Sequence, residues 1–112
     1  MQQVFTNEEE NIAAQFLREK GFIVLNRNNR SYGAEIDLLC TRKEDEAYYI
    51  FEVKKVARQR GLAYPRISQK QLSRLRKAAQ RMQEKSDKFL TVRLCLLVVD
   101  KAAQRVEMFE DI

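Results

Sequence analysis

Apolar positions 12, 13, 16 and 17 recur at the spacing of one helical face, and Thr6-x-x-Glu9 reads as a capping box ahead of them. Gly21 predicts the stop. Residues 22–25 form a short β-type run, and residues 26–33 are polar and turn-like. Residues 34–40 read as a strand, Lys43 to Glu46 as a charged hairpin tip, and 48–53 as the returning arm. Residues 58–66 form an irregular basic loop holding Gly61 and the single proline, Pro65. A second capping box, Ser68-x-x-Gln71, opens a helix whose apolar stripe is Leu72, Leu75, Ala79 and Met82. Residues 89–99 read as a long strand, so apolar at its end that it should be central and covered on both faces. Residues 100–104 turn, and 105–109 close as a strand. The order α-β-β-β-α-β-β predicts an α/β fold, a mixed five-stranded sheet with a helix on each side.

A length of 112 residues fits a single domain spanning 1–112. The longest apolar run, 94–99, is too short to span a bilayer, and no basic stretch precedes an apolar run near the start, so neither a membrane segment nor a secretory signal is expected. The absence of His excludes a thiolate–imidazole zinc site and a Ser-His or Cys-His triad. Cys40 and Cys95 form no Cys-x-x-Cys pair, which predicts two core thiols in a reduced, cytoplasmic domain. The net charge of +5 is unevenly spread: residues 53–83 hold ten basic side chains and no acidic one. Such a stretch suggests an anionic partner, nucleic acid first, against the alternative of a basic surface with no partner. The second helix contains no aromatic residue, and Tyr64 is the only one in the basic stretch, which favours backbone contact over base stacking by that segment.

The residues that suggest chemistry are charges inside the hairpin strands. Glu35 and Asp37 share one strand face by the two-residue period, and so do Glu52 and Lys54. Charges rarely occupy the middle of apolar strands unless they are paired or bind metal. With a four-residue tip at 43–46, Arg42 faces Ala47, every facing pair sums to 89, and Asp37 faces Glu52. Carboxylates about 5 Å apart at Cβ repel unless a proton or cation lies between them. A hard divalent ion suits them, and Lys54 could polarise a water or hold a phosphate oxygen beside it. The alternative is a cross-strand salt-bridge cluster. A bulge between these strands would break the geometry. Glu10 shares a helix face with Ala13, Ala14 and Leu17 and could reach the carboxylates, or could simply favour the helix start. Gln71 could be the reciprocal cap of Ser68 or could project toward a phosphate.

The succession Glu10-Asn11-Ile12-Ala13-Ala14, Gly21-Phe22, Asn28-Asn29-Arg30, Glu35-Ile36-Asp37-Leu38-Leu39, Phe51-Glu52-Val53-Lys54 and Lys70-Gln71-x-x-x-Leu75 resembles the YraN-like family of small bacterial proteins, over roughly residues 8 to 100. The resemblance implies a restriction-endonuclease-like fold of the PD-(D/E)XK type, akin to archaeal Holliday junction resolvases. It implies that Asp37, Glu52 and the Val53 carbonyl ligate Mg²⁺ or Mn²⁺, that Lys54 is the catalytic lysine, that Glu10 assists the metal site or its waters, and that Gln71 supports the site or the DNA backbone. Glu35 keeps the family pattern and is expected behind the ligands. Ala34, Glu9, Lys55, Val56, Asn29 and Cys95 depart from the family pattern, while the metal and lysine positions keep it.

Three readings follow. The first is a divalent-metal-dependent DNA endonuclease acting on branched, damaged or double-stranded DNA, with phosphates held by Arg30, Lys55, Arg58, Arg60, Arg66, Lys70, Arg74 and Lys77. A homodimer would suit a two-stranded junction. The second is a non-catalytic nucleic-acid-binding module, whose binding ignores metal and Asp37→Asn. The third is a protein-interaction subunit of a DNA-processing assembly, which binds DNA weakly alone.

Overall fold

The computed structural model describes residues 7–56 and 67–112. Its elements run α1 (Glu8–Glu19), β1 (Phe22–Asn29), β2 (Ile36–Arg42), β3 (Tyr48–Lys55), α2 (Gln69–Glu84), β4 (Val92–Asp100) and β5 (Arg105–Glu110). The strands form one sheet in spatial order β1-β2-β3-β4-β5. Only β3 and β4 are parallel, joined by the crossover through α2; the other neighbours are antiparallel. This is the mixed five-stranded sheet and the element order that the sequence predicts.

The alternation of side chains across the strands divides the core in two. On one face Ala13, Ala14 and Leu17 of α1 pack on Leu38, Cys40, Tyr49, Phe51, Cys95, Leu97 and Val99. On the other, Leu75, Ala78 and Met82 of α2 pack on Leu39, Ile50 and Ile36. Both cysteines are free and buried, and burial pushes their thiols up to about 12 for Cys40 and about 11 for Cys95, which leaves them unreactive. Among the described residues no helix is long and apolar enough to cross a membrane.

The hairpin register is the predicted one: Leu38 faces Phe51, Leu39 Ile50, Cys40 Tyr49 and Thr41 Tyr48. The bulge in the sheet falls instead between β1 and β2, at Val24/Asn26.

Several boundaries differ from expectation. Thr6 lies outside the described residues, and the cap of α1 is Asn7, whose side chain accepts Glu10 N–H at 3.0 Å, so the capping pair falls one residue later than predicted. Asn26–Asn29 is strand rather than turn: past the bulge the ladder resumes with Asn26 opposite Leu39, and Asn28 takes a left-handed φ of 53° that asparagine tolerates. Phe89 precedes β4 and is 89% exposed, and β4 is fourth in the sheet with β3 at its centre, although residues 95–99 are buried as expected. On α2, Ala78 is the fully buried alanine, while Leu72 and Ala79 sit at the margin of the stripe. Ser68 caps α2 as predicted. The basic loop, with Arg58, Arg60, Tyr64 and Arg66, lies outside the described residues.

Leu17 is fully buried and Phe89 almost fully exposed. Leu17→Ala is expected to cost ~2–5 kcal/mol in urea unfolding, and Phe89→Ser less than about 0.5 kcal/mol.

Candidate active site

The site lies where β2 parts from β3. The paired rungs run from Thr41↔Tyr48 to Leu38↔Phe51. One residue further, Asp37 Oδ2 accepts the Val53 N–H at 2.8 Å. The backbone of β3 fixes which groups meet here. The Tyr48 N–H donates to the Thr91 carbonyl, and just past the strand Val56 N–H donates to the Val99 carbonyl. Even-numbered residues therefore turn their backbone groups toward β4 and odd-numbered ones toward β2, so the Val53 carbonyl faces the same edge as its N–H.

Glu52 is buried on the α2 side of the sheet, 8% exposed. Its Oε1 lies 3.6 Å from Lys54 Nζ and accepts a hydrogen bond from Gln71 Nε2 at 3.3 Å. Gln71 thus joins the site through its side chain, while its backbone N–H serves the Ser68 cap. Asp37 and Glu52 share a hydrogen bond. Burial, then the charge of Asp37, pushes Glu52 up to about 7, with Lys54 pulling the other way. Burial also raises Asp37, opposed by the Val53 N–H and the Glu52 bond.

Glu10 reaches the same end of the sheet from the first turn of α1 and is 6% exposed. Burial and the charge of Asp37 raise its pKa, while Arg27 lowers it. Arg27 Nη2 stands 3.4 Å from Glu10 Oε1, and Asn7 Nδ2 donates to Glu10 Oε2 at 3.1 Å. Glu10 therefore serves the helix start and adjoins the carboxylates at once. Arg27, which also donates to Asn11 at 2.8 Å, was not legible as a site neighbour, because it falls in a stretch that reads as a turn. Extending the strand past the bulge would have been the only signal. Glu35 is exposed and pairs with Arg30 at 3.6 Å, yet its charge is felt at Asp37.

The predicted positions Glu10, Asp37, Glu52, Val53, Lys54 and Gln71 thus converge, with Glu35 at the margin. Among the described residues no group of three or more His, Cys, Asp or Glu side chains is arranged to hold a metal ion. Of the phosphate-contact candidates, Arg30 and Arg74 line one open groove with Glu35. Lys55, Lys70 and Lys77 are exposed, and Arg58, Arg60 and Arg66 lie outside the described residues.

Fold and site together define an α/β domain, a mixed five-stranded sheet between two helices, with a carboxylate–lysine cluster at the fork of its hairpin. The model of the Uncharacterised protein family UPF0102 matches residues 9–100, and the chain belongs to that family, the YraN-like family of the sequence resemblance. A UPF0102 protein of Campylobacter hominis is 38% identical over 73 residues, which make up 65% of this chain and 62% of that protein's length. Among solved structures, that of Pyrococcus furiosus SfsA in complex with Ca²⁺ aligns over 94% of this chain and 61% of its own, at 14% identity and a TM-score of 0.37, a likeness too distant to bear on function.

A raised carboxyl stabilises the fold most below its unfolded pKa, and that contribution is lost as pH rises through the folded value. For Glu52 the window runs from 4.5 to about 7. Glu52→Gln keeps a donor for Asp37 and removes the charge. Without added metal its melting temperature is expected to gain on the wild type as pH rises from 4.5 to 8. A constant difference across that range would show that Glu52 titrates normally.

Proposed function

We propose that this protein is a divalent-metal-dependent DNA endonuclease of the PD-(D/E)XK type. The observation that carries the reading is the meeting of Asp37 and Glu52 at the hairpin fork, with Val53 between them and Lys54 on Glu52. Two neighbouring carboxyls that burial raises, one of them raised further by the charge of the other, call for a cation, and an all-oxygen donor set suits a hard one. Asp37, Glu52 and the Val53 carbonyl would hold Mg²⁺ or Mn²⁺. Two carboxylates and one carbonyl form a sparse set, of the kind that leaves Mg²⁺ its waters and room for phosphate oxygens. When bound, the ion supplies Lewis-acid charge and acidifies a water.

The remaining work falls to the chain's own groups. Lys54 places a fixed positive charge beside Glu52, where it can stabilise charge developing on a phosphate oxygen. Gln71 restrains Glu52 from the α2 side, and Arg27 with Asn7 restrains Glu10 from the α1 side. Arg30, Arg74, Lys55, Lys70 and Lys77 would hold the DNA backbone without reading sequence.

A second reading, a binding module without catalysis, is favoured by the protein contacts that already engage Glu52, whose Oε1 accepts from Gln71 and stands 3.6 Å from Lys54. One assay separates the two. Linear, single-stranded, flapped and four-way-junction DNA are incubated with Mg²⁺, Mn²⁺ or EDTA. Metal-dependent cleavage is expected, abolished in Asp37→Asn and Glu52→Gln and reduced ~10²–10³-fold in Lys54→Ala. Salt-sensitive DNA binding without cleavage, unchanged by metal and by both carboxylate variants, would establish the module instead.

A further inference from the structure

All the basic side chains of α2 but Arg76 fall on one face of the helix, and Lys85 at its C-cap continues that face. Lys70, Arg74, Lys77, Arg81 and Lys85 follow one another at spacings of four, three, four and four, which places them on a single stripe, and all are exposed. The stripe runs beside the segment 30–35. Arg74 lines a groove with Arg30 and Gly33. Arg81 lies directly over Gly33, where a Cβ would come within 2.1 Å of its Nη1. Lys85 Nζ donates to the Ser31 carbonyl at 3.2 Å and stands 5.3 Å from the centroid of the Tyr32 ring. A positively charged track therefore starts at Gln71, beside Glu52, and ends at Lys85, about 21 Å along the helix, or about six nucleotides of B-form strand at 3.4 Å each.

The track ends at a cavity of about 400 Å³. Tyr32 and Tyr48, both half-buried, line it, over a floor that includes Leu39 and Met82. Asn26 and Asn29, hydrogen-bonded to each other at 2.9 Å, supply amide donors and acceptors to the lining. Aromatic walls, amide groups and a cation at the mouth are the chemistry that holds a base rather than a paired helix, whose bases are stacked away. The aromatic group missing from α2 is supplied from the facing segment.

We propose that this cavity takes one unpaired nucleobase of the nucleic acid whose phosphates follow the α2 stripe, so that the preferred substrate is a duplex carrying a single-stranded extension. The proposal rests on the DNA-binding part of the function above but not on catalysis or metal.

The test is equilibrium binding in EDTA to blunt duplex and to duplexes with 3′ or 5′ tails. 2-Aminopurine is placed at successive tail positions, and an abasic residue is placed in turn at the same positions. Tailed duplex is expected to bind about tenfold more tightly than blunt, consistent with one stacked base. 2-Aminopurine emission is expected to quench at one tail position, and an abasic residue there to erase the preference. Tyr32→Phe should keep it and Tyr32→Ala should lose it. Because Tyr32 packs against the core, Lys85→Gln at an exposed position serves as a second variant, expected to weaken the preference with an unchanged melting temperature. Equal affinity for blunt and tailed DNA, or a preference intact in folded Tyr32→Ala, overturns the proposal while the endonuclease reading stands. No binding to any DNA overturns both.

Discussion

The bond between Asp37 and the Val53 N–H organises the rest of the site. Up to Leu38 and Phe51 the hairpin strands are held by their own ladder. Beyond that rung β3 continues along β4 to Lys55, while β2 turns away. A buried N–H at such a fork needs an acceptor. Asp37 supplies it with a side-chain oxygen, and so a charge is fixed at the place where Glu52 emerges from the neighbouring strand. The proximity of the two carboxylates follows from how the sheet ends. Its electrostatic cost is offset by Lys54 and by Gln71.

Each layer contributes one restraint that the others cannot. The α1 layer brings Glu10, tied by Asn7 on its own helix and by Arg27 from the sheet edge. The α2 layer brings Gln71 at its first turn and then carries its cations away from the site, along the segment that begins at Arg30. The sheet itself supplies Asp37, Glu52 and Lys54. The capping residues double as site residues because both helices begin at the same end of the sheet: Asn7 and Ser68 cap the turns from which Glu10 and Gln71 reach inward.

Much of this was legible in the chain. The apolar alternation around 36–40 and 49–53, with a tip of four charged residues, fixed the hairpin register and with it the Asp37–Glu52 meeting. Ser68-x-x-Gln71 located the start of α2. What escaped was decided by contacts with no local signature. Asn26–Asn29 continue the edge strand because a bulge restores their pairing, and no composition rule marks a bulge. Arg27 belongs to the site only through that extension. The choice of Asn7 as cap rests on its side-chain geometry, since threonine and asparagine both suit the position. Ala78 rather than Ala79 faces the sheet because the stripe on α2 is centred between Leu75 and Met82, a shift of one residue that spacing alone does not resolve. Gln71 was open between cap and site, and the division of labour between its backbone and side chain answers both.

The single parallel pairing has a consequence for how the site comes together. Asp37, Glu52 and Lys54 lie on one hairpin whose arms are joined by a short tip, so their approach closes only a small loop. The pairing of Tyr48 with Val92 must instead wait for the whole crossover. Loop-closure entropy grows with the length enclosed, and ordering a long connection is the slower event. The repelling carboxylates therefore belong to a short-loop unit of the sheet, whereas Gln71, which restrains one of them, belongs to the long crossover. The gathering of the acidic pair is thus a local property of one hairpin, whereas its restraint by Gln71 is a property of the whole crossover.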